Sequence, residues 1–194
     1  ETESSFIDLA DPAYLDFEYH QHMDATVKVL LGEDLPLNAV HLGGAACALA
    51  RAWDATHPGS AQLAVEIDAK LAAYVRQWFD LPRSPRLRIR IDDAVVAAPS
   101  LKAEFWDVVV RDIFSAGTVP DSVCTPEFMH SCMNALKSEG LFLINAASAP
   151  TSQVQAQFAA LAQISDFLVI SDAAVARGKR RGNLVLVARK TGFS

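Results

Sequence analysis

The chain has 194 residues, a formal net charge of −6 at pH 7 and a hydrophobic share of 51%. That composition excludes a disordered or collagen-like chain, and the length suits one substantial hydrophobic core. The acidic balance disfavours a general nucleic-acid binder, and no apolar stretch is long enough to predict a spanning helix.

Residues 1–19 show no clear period: Asp11-Pro12 is a turn signal, and Tyr14, Phe17 and Tyr19 crowd aromatics together. They read as an amino-terminal extension to a domain covering 20–194. An exposed aromatic strip here predicts a homodimer, whereas burial against the chain's own sheet permits a monomer. A helix is expected over 21–31, after Tyr19 and His20. Residues 38–42 form a short apolar strand ending at Gly43-Gly44. A helix over 45–56 follows, closed by His57-Pro58-Gly59. The second strand, 62–67, ends at Asp68, and a helix over 69–79 sets Leu71, Val75, Trp78 and Phe79 on one face.

A third strand, 86–91, interleaves arginines with Leu87, Ile89 and Ile91 and ends in Asp92-Asp93. Residues 105–110 are apolar except for Asp107, as in a strand covered on both faces, and run into Arg111-Asp112. Thr125-Pro126 supplies an N-cap and a first-turn proline for a helix burying Phe128, Met129, Cys132, Met133 and Leu136. Lys137 and Gly140 close that helix, and 141–145 is the fifth strand. A helix over 151–164 precedes two final strands, 167–171 and 183–188, read as an antiparallel hairpin with its loop at 177–182. The basic cluster Arg177 to Arg181 reads as a solvated loop. The fold class is therefore α/β, with a single doubly wound, seven-stranded, mostly parallel sheet and a carboxyl-terminal antiparallel hairpin.

In such a sheet, ligands bind at the carboxyl ends of the strands near the switch in strand order. Four of those ends carry glycine or acid: Gly43-Gly44, Glu66 with Asp68, Asp92-Asp93, and Asp112. The glycines permit a tight turn and close backbone approach to a ligand. Glu66, 23 residues beyond Gly43, suits the hydroxyls of a ribose. Asp68 either clasps the same ligand or caps the next helix. Asp93, with Ala94, is chosen over Asp92 to accept from an adenine amino group. Asp112 can accept a proton from an amine or hold a cation; the competing reading is an ion pair with Arg111. Tyr19 and His20 are ring contacts to a ligand or simply a helix start.

The remaining histidines, His22, His41, His57 and His130, are dispersed, so no metal site is expected. Cys47, Cys124 and Cys132 suit neither a disulfide framework nor a close metal pair, which fits a reducing, cytoplasmic setting. Glu1-Thr2-Glu3 opens no signal peptide.

From about Asp16 to Leu143 the sequence resembles the spermidine/spermine synthase family, which shares the fold of class I S-adenosylmethionine-dependent methyltransferases. Tyr19-His20-Gln21 resembles the family's Tyr-His-Glu, the segment from Gly43 to Cys47 its glycine-rich loop, and Glu66-Ile67-Asp68 its Glu-hydrophobic-Asp. Asp93-Ala94 is similar to its acidic-small pair, and Asp112 falls at the acid opening its Asp-Ser-Ser-Asp. The resemblance implies an aminopropyltransferase that uses decarboxylated S-adenosylmethionine as co-substrate, no metal, and a small amine such as putrescine as acceptor. On it, Glu66 holds the ribose, Asp93 the adenine and Asp112 is the base, with Tyr19 toward the amine and His20 lining the site. It further implies a short or absent family β-domain and, since members can be fused to transporters, association with a membrane region.

Two departures stand out. The family's loop aspartate is Ala46 here, and the second acid of its four-residue motif is Ser115. Compensating acids are then expected from Asp11, Asp16 or Glu18. The alternatives to aminopropyl transfer are methyl transfer from ordinary S-adenosylmethionine and a catalytically impaired nucleoside-binding homologue.

Overall fold

A computed structural model describes residues 5–44, 46–115 and 117–193. Seven strands alternate with helices in the order α1 (Glu18–Leu31), β1 (Asn38–Gly43), α2 (Ala48–Thr56), β2 (Ala61–Glu66), α3 (Ala69–Trp78), β3 (Leu87–Ile91), α4 (Ala94–Ala97), β4 (Trp106–Asp112), α5 (Pro126–Ala135), β5 (Leu136–Ala147), α6 (Thr151–Ala162), β6 (Phe167–Ile170), α7 (Ala173–Ala176) and β7 (Asn183–Arg189). They form one sheet, ordered β3-β2-β1-β4-β5-β7-β6. Only β7 runs antiparallel, pairing with both β5 and β6. The predicted sheet and its final antiparallel pair are therefore present, with the short α7 inserted in the connection.

Period-two alternation along the strands divides the core between the two faces. Val109, Phe142, Ile144 and Leu186 pack with Phe128, Met129 and Leu161 of α5 and α6. Val108, Val110, Leu143 and Val187 pack with Met23 and Val27 of α1 and Trp53 of α2. The order of β1 and β4 beside one another makes their carboxyl ends the switch point, because the chain leaves toward β3 on one side and toward β5 on the other.

The structure departs from expectation chiefly at three helix boundaries and on one helix face. α1 begins at Glu18, so Tyr19 and His20 lie in its first turn and the expected division at residue 19 cuts a helix. α2 begins at Ala48 after Cys47 in a left-handed conformation (φ 60°); the expected first residue, Ala45, lies outside the described residues. α5 ends at Ala135, and Leu136–Gly140 extend β5, where the register against β4 shifts between Trp106 and Val108. The Lys137–Gly140 stretch is a strand with a bulge, because the pairing of Leu136 with Trp106 competes successfully with a last helical turn. In α3, Trp78 does not join the buried face: it is 59% exposed and stacks on Tyr74 at 4.7 Å. Ala72 and Val75 carry the buried face of α3 instead.

The amino-terminal segment packs on the chain's own domain at several points. Leu15 is buried with α1 and α2, and Ile7 packs beside Ala46, Cys47 and Ala50. The buried Arg51 donates from Nη1 to the Asp8 carbonyl at 2.6 Å, and Ala46 N–H donates to Ser5 Oγ at 3.4 Å. Phe6 and Tyr14 meet edge to face at 5.8 Å and stay partly exposed, so the aromatic strip is neither fully buried nor fully free.

His41, at the centre of β1, is buried and bonded at Nε2 to Gln62 Oε1 at 2.8 Å. Burial pushes its imidazole down to about 4, against the bond to Gln62. A histidine held neutral by the fold opposes unfolding least when the solvent is acid, since the unfolded ring then gains a proton the folded one refuses. Stability is therefore expected to fall as pH drops from about 6.5 toward about 4, by up to ~3 kcal/mol from this group. Urea denaturation across that range checks the slope, and His41→Asn should flatten it.

Candidate functional site

The register places the expected residues along one rim. Asp112 pairs with Gly43, and Glu66 pairs with Ile91, so the ends of β4, β1, β2 and β3 stand side by side. At the usual strand spacing that row spans about 14 Å. Asp93 and Ala94 follow Ile91 at the start of α4. Beyond Glu66, Ile67 is 69% exposed, an apolar wall on this otherwise acidic rim.

Gly43 and Gly44 both adopt positive φ (83° and 98°), which only glycine takes without strain. Gly44 N–H donates to the Asp112 carbonyl at 3.1 Å, fastening the loop to the end of β4. The two acids between β2 and α3 shape their own turn: Glu66 Oε1 accepts from Asp68 N–H at 2.9 Å. Asp68 Oδ1 caps α3 through Lys70 and Leu71 N–H at 2.8 and 3.0 Å. Asp68 Oδ1 thus serves as the cap of α3. Asp68→Ala should cost about 1 kcal/mol of stability and Asp68→Asn almost none, read by thermal unfolding. Asp92 is engaged by Arg90, while Asp93 Oδ1 caps α4 through Val95 N–H at 2.8 Å.

Asp112 is the best-surrounded group. Its Oδ2 accepts from the Tyr19 hydroxyl at 2.9 Å and lies 3.5 Å from His20 Nε2. Its Oδ1 accepts from Asn145 Nδ2 at 2.8 Å. Burial alone would raise the carboxyl, but His20, Asn145 and Tyr19 together outweigh it and hold it below the usual carboxylate range. Burial and the same carboxylate push the Tyr19 phenol far up, so Tyr19 is a donor here and not a base. The rings of Tyr19 and His20 lie 4.2 Å apart, with Phe17 stacked on Tyr19 at 5.9 Å. Tyr19, His20, Gly43, Gly44 and Asp112 are therefore brought together, whereas Glu66, Asp68, Asp93 and Ala94 line the rim further toward β3.

The alternative ion pair of Asp112 with Arg111 does not form, because consecutive strand residues point to opposite faces. The Arg111 guanidinium is 0% exposed and donates to the carbonyls of Val123 and Asn145 and to Gln157 Oε1 at 3.1, 2.8 and 2.5 Å. The compensating acids are also engaged elsewhere. Asp11 and Asp16 accept from Ala13 N–H and the Tyr14 hydroxyl, and Glu18 pairs with Arg180 at 3.0 Å. Arg180, in the basic loop, also reaches Asp172 at 3.3 Å, so one residue of the expected solvated cluster pins the start of α1.

The hollow lined by His20, His41, Gly44, Cys47, Ala50 and Asp112 holds about 10 Å³, the room of one water molecule at most. A wider open hollow of about 400 Å³, lined by Lys28, Glu33, Asp34 and Thr56, lies between the last turns of α1 and α2 and gathers none of the expected residues. Sequence reasoning missed Asn145, Asn183 and the His41–Gln62 pair. The signal for the first was present: Asn145 is the polar residue that ends the apolar run Leu141 to Ile144.

A sheet of this order, with glycines and acids on the carboxyl rim of its first four strands, defines the class I methyltransferase-like fold. A human methyltransferase-like protein 13, solved in complex with SAH, shares it: 23% identity, TM-score 0.75, over 89% of this chain and 82% of that one. A probable spermidine synthase from Corynebacterium glutamicum is 34% identical with a TM-score of 0.88, over 98% of this chain and 70% of that one. The chain belongs to the spermidine synthase (polyamine aminopropyltransferase) family. A polyamine aminopropyltransferase from Chromobacterium violaceum is 27% identical over 145 residues, covering 75% of this chain. The chain spans about half the length of such curated relatives, 54% in that case. No family model matches it.

Proposed function

We propose that the chain is an aminopropyltransferase that moves an aminopropyl group from decarboxylated S-adenosylmethionine to a small amine such as putrescine. The observation that carries this reading is an ionised Asp112 at the switch point, bonded to the Tyr19 hydroxyl and set in register with the glycine turn. Glu66 takes the ribose hydroxyls, Asp93 the adenine amino group, and Ile67 and Ala94 give its ring apolar contact. The amine nitrogen attacks the methylene beside the sulfonium, the carbon–sulfur bond breaks, and methylthioadenosine leaves. The proton of the newly alkylated nitrogen passes to Asp112. Most of the acceleration comes from orientation, with one acceptor for that proton.

The hollow beside Asp112 is too small for an amine, so the substrate must displace His20 or Tyr19 and take over their bond to Oδ2. A second reading, methyl transfer from S-adenosylmethionine, is favoured by the glycine loop itself. Ala46 puts no carboxylate there to repel the donor's own, and a bovine eEF1A lysine and N-terminal methyltransferase is 30% identical over 152 residues, though only 21% of that protein is covered.

Calorimetric titration with S-adenosylmethionine, its decarboxylated form and 5′-methylthioadenosine in one buffer separates the readings. Tighter binding of the decarboxylated donor is expected. A clear preference for the carboxylated donor would move the assignment to methyl transfer, and no binding by any of them would leave a non-catalytic homologue.

A further inference from the structure

The two oxygens of Asp112 are held from different parts of the fold. Oδ2 faces α1, where Tyr19 and His20 meet it, and these are the side chains an incoming amine must displace. Oδ1 faces the sheet, where Asn145 Nδ2 donates at 2.8 Å. Asn145 is buried, and its own oxygen is occupied: Asn183 Nδ2, at the start of β7, donates to Asn145 Oδ1 at 2.8 Å. That second bond fixes which end of the Asn145 amide faces Asp112, since a flipped amide would set oxygen against oxygen on one side and donor against donor on the other. The main chain of Asn145 is anchored as well, because Arg111 donates to its carbonyl from the opposite face of the sheet while also holding Gln157.

We infer that Asn145, oriented by Asn183, is a positioning residue that keeps one oxygen of Asp112 fixed to the sheet while the other is handed from Tyr19 and His20 to the substrate amine. The inference rests on Asp112 being the proton acceptor. An amide suits the task better than a charged donor would. It holds the carboxylate without neutralising it, so the full charge stays available to the cationic product. It also stays put when α1 shifts, since β4, β5 and β7 are bonded to one another. The ionisable groups around the carboxylate are Tyr19 and His20 from α1, His41 from β1 and Cys47 at the foot of α2, with Arg111 on the far face. Of the three donors nearest the carboxylate, only Asn145 carries no titrating proton.

The test follows the Asp112 carboxyl carbon by NMR as a function of pH, in the wild type, Asn145→Leu and Asn183→Ala. Donor binding and transfer kinetics are measured on the same preparations. In Asn145→Leu the Asp112 midpoint should rise by about one pH unit, and kcat should fall about tenfold with the donor's dissociation constant unchanged. Asn183→Ala, at a half-buried site the fold tolerates more readily, should move the midpoint in the same direction by a smaller amount. An unmoved midpoint in both variants would overturn the inference, as would a rise in KM with kcat intact. If the midpoint moves but the wild type binds none of the nucleosides, the hold of Asn145 on Asp112 is real while the transferase reading, and with it the hand-over to an amine, is overturned.

Discussion

Asp112→Asn is expected to abolish aminopropyl transfer, lowering kcat by about a thousandfold, the usual scale for a lost general base. Binding of 5′-methylthioadenosine should change by less than about twofold, because the nucleoside contacts proposed above, Glu66 and Asp93, lie at the end of β2 and at the cap of α4, away from Asp112. The asparagine keeps the shape of the side chain and can still accept from one of its neighbours, so the fold survives the change. The pH dependence has a fixed direction. The folded carboxyl lies below its ordinary range, so its contribution to stability is complete above the unfolded value and disappears as pH falls through the folded one. The acid limb of the rate profile should accordingly lie below that of a free aspartate. Turnover by the variant equal to wild type at neutral and mildly alkaline pH would remove Asp112 from proton transfer.

Gly43→Ala is expected to cost about 3 kcal/mol or more of folding stability, measured by urea denaturation, with loss of donor binding. A methyl group at this position would stand 2.3 Å from the Asp112 carbonyl oxygen and 3.0 Å from its carbon, on a residue with φ 83°. These are backbone atoms of the neighbouring strand, and neither can move without breaking the pairing of β1 with β4. Gly44→Ala makes the contrast: φ is 98°, yet among the described residues no atom beyond its chain neighbours lies within 4 Å of the added carbon. Its cost should be the conformational term alone, about 1–2 kcal/mol. Equal losses in the two variants would show that crowding against β4 is not the cause.

The sheet was legible because its signals are local. Apolar runs such as Leu141 to Ile144, bounded by glycine and polar residues, specify strands, and an acid or glycine after each marks one rim. The helix ends were harder wherever tertiary pairing decided them. Leu136 to Gly140 has helical spacing, yet strand pairing with Trp106 takes it. Trp78 matches the buried spacing of α3, but Tyr74 offers it a stacking partner on the outside. The candidate site shows the same division. Gly43, Glu66 and Asp112 could be read from their position after strands, whereas Asn145 and Asn183 matter only through partners 33 and 38 residues away. Nor could spacing show that Glu18 would be taken by Arg180, a contact across 162 residues.

The place of β7 constrains how the protein can be made. β7, which follows β6 in the chain, is not a border of the sheet but is inserted between β5 and β6. Until it arrives, the long β5 presents an unpaired, largely apolar ladder, the kind of surface that recruits other nascent chains. Assembly of the sheet is complete only once β7 is in place, and deleting β7 would open the middle of the sheet where removing its outer neighbour β6 would merely narrow it.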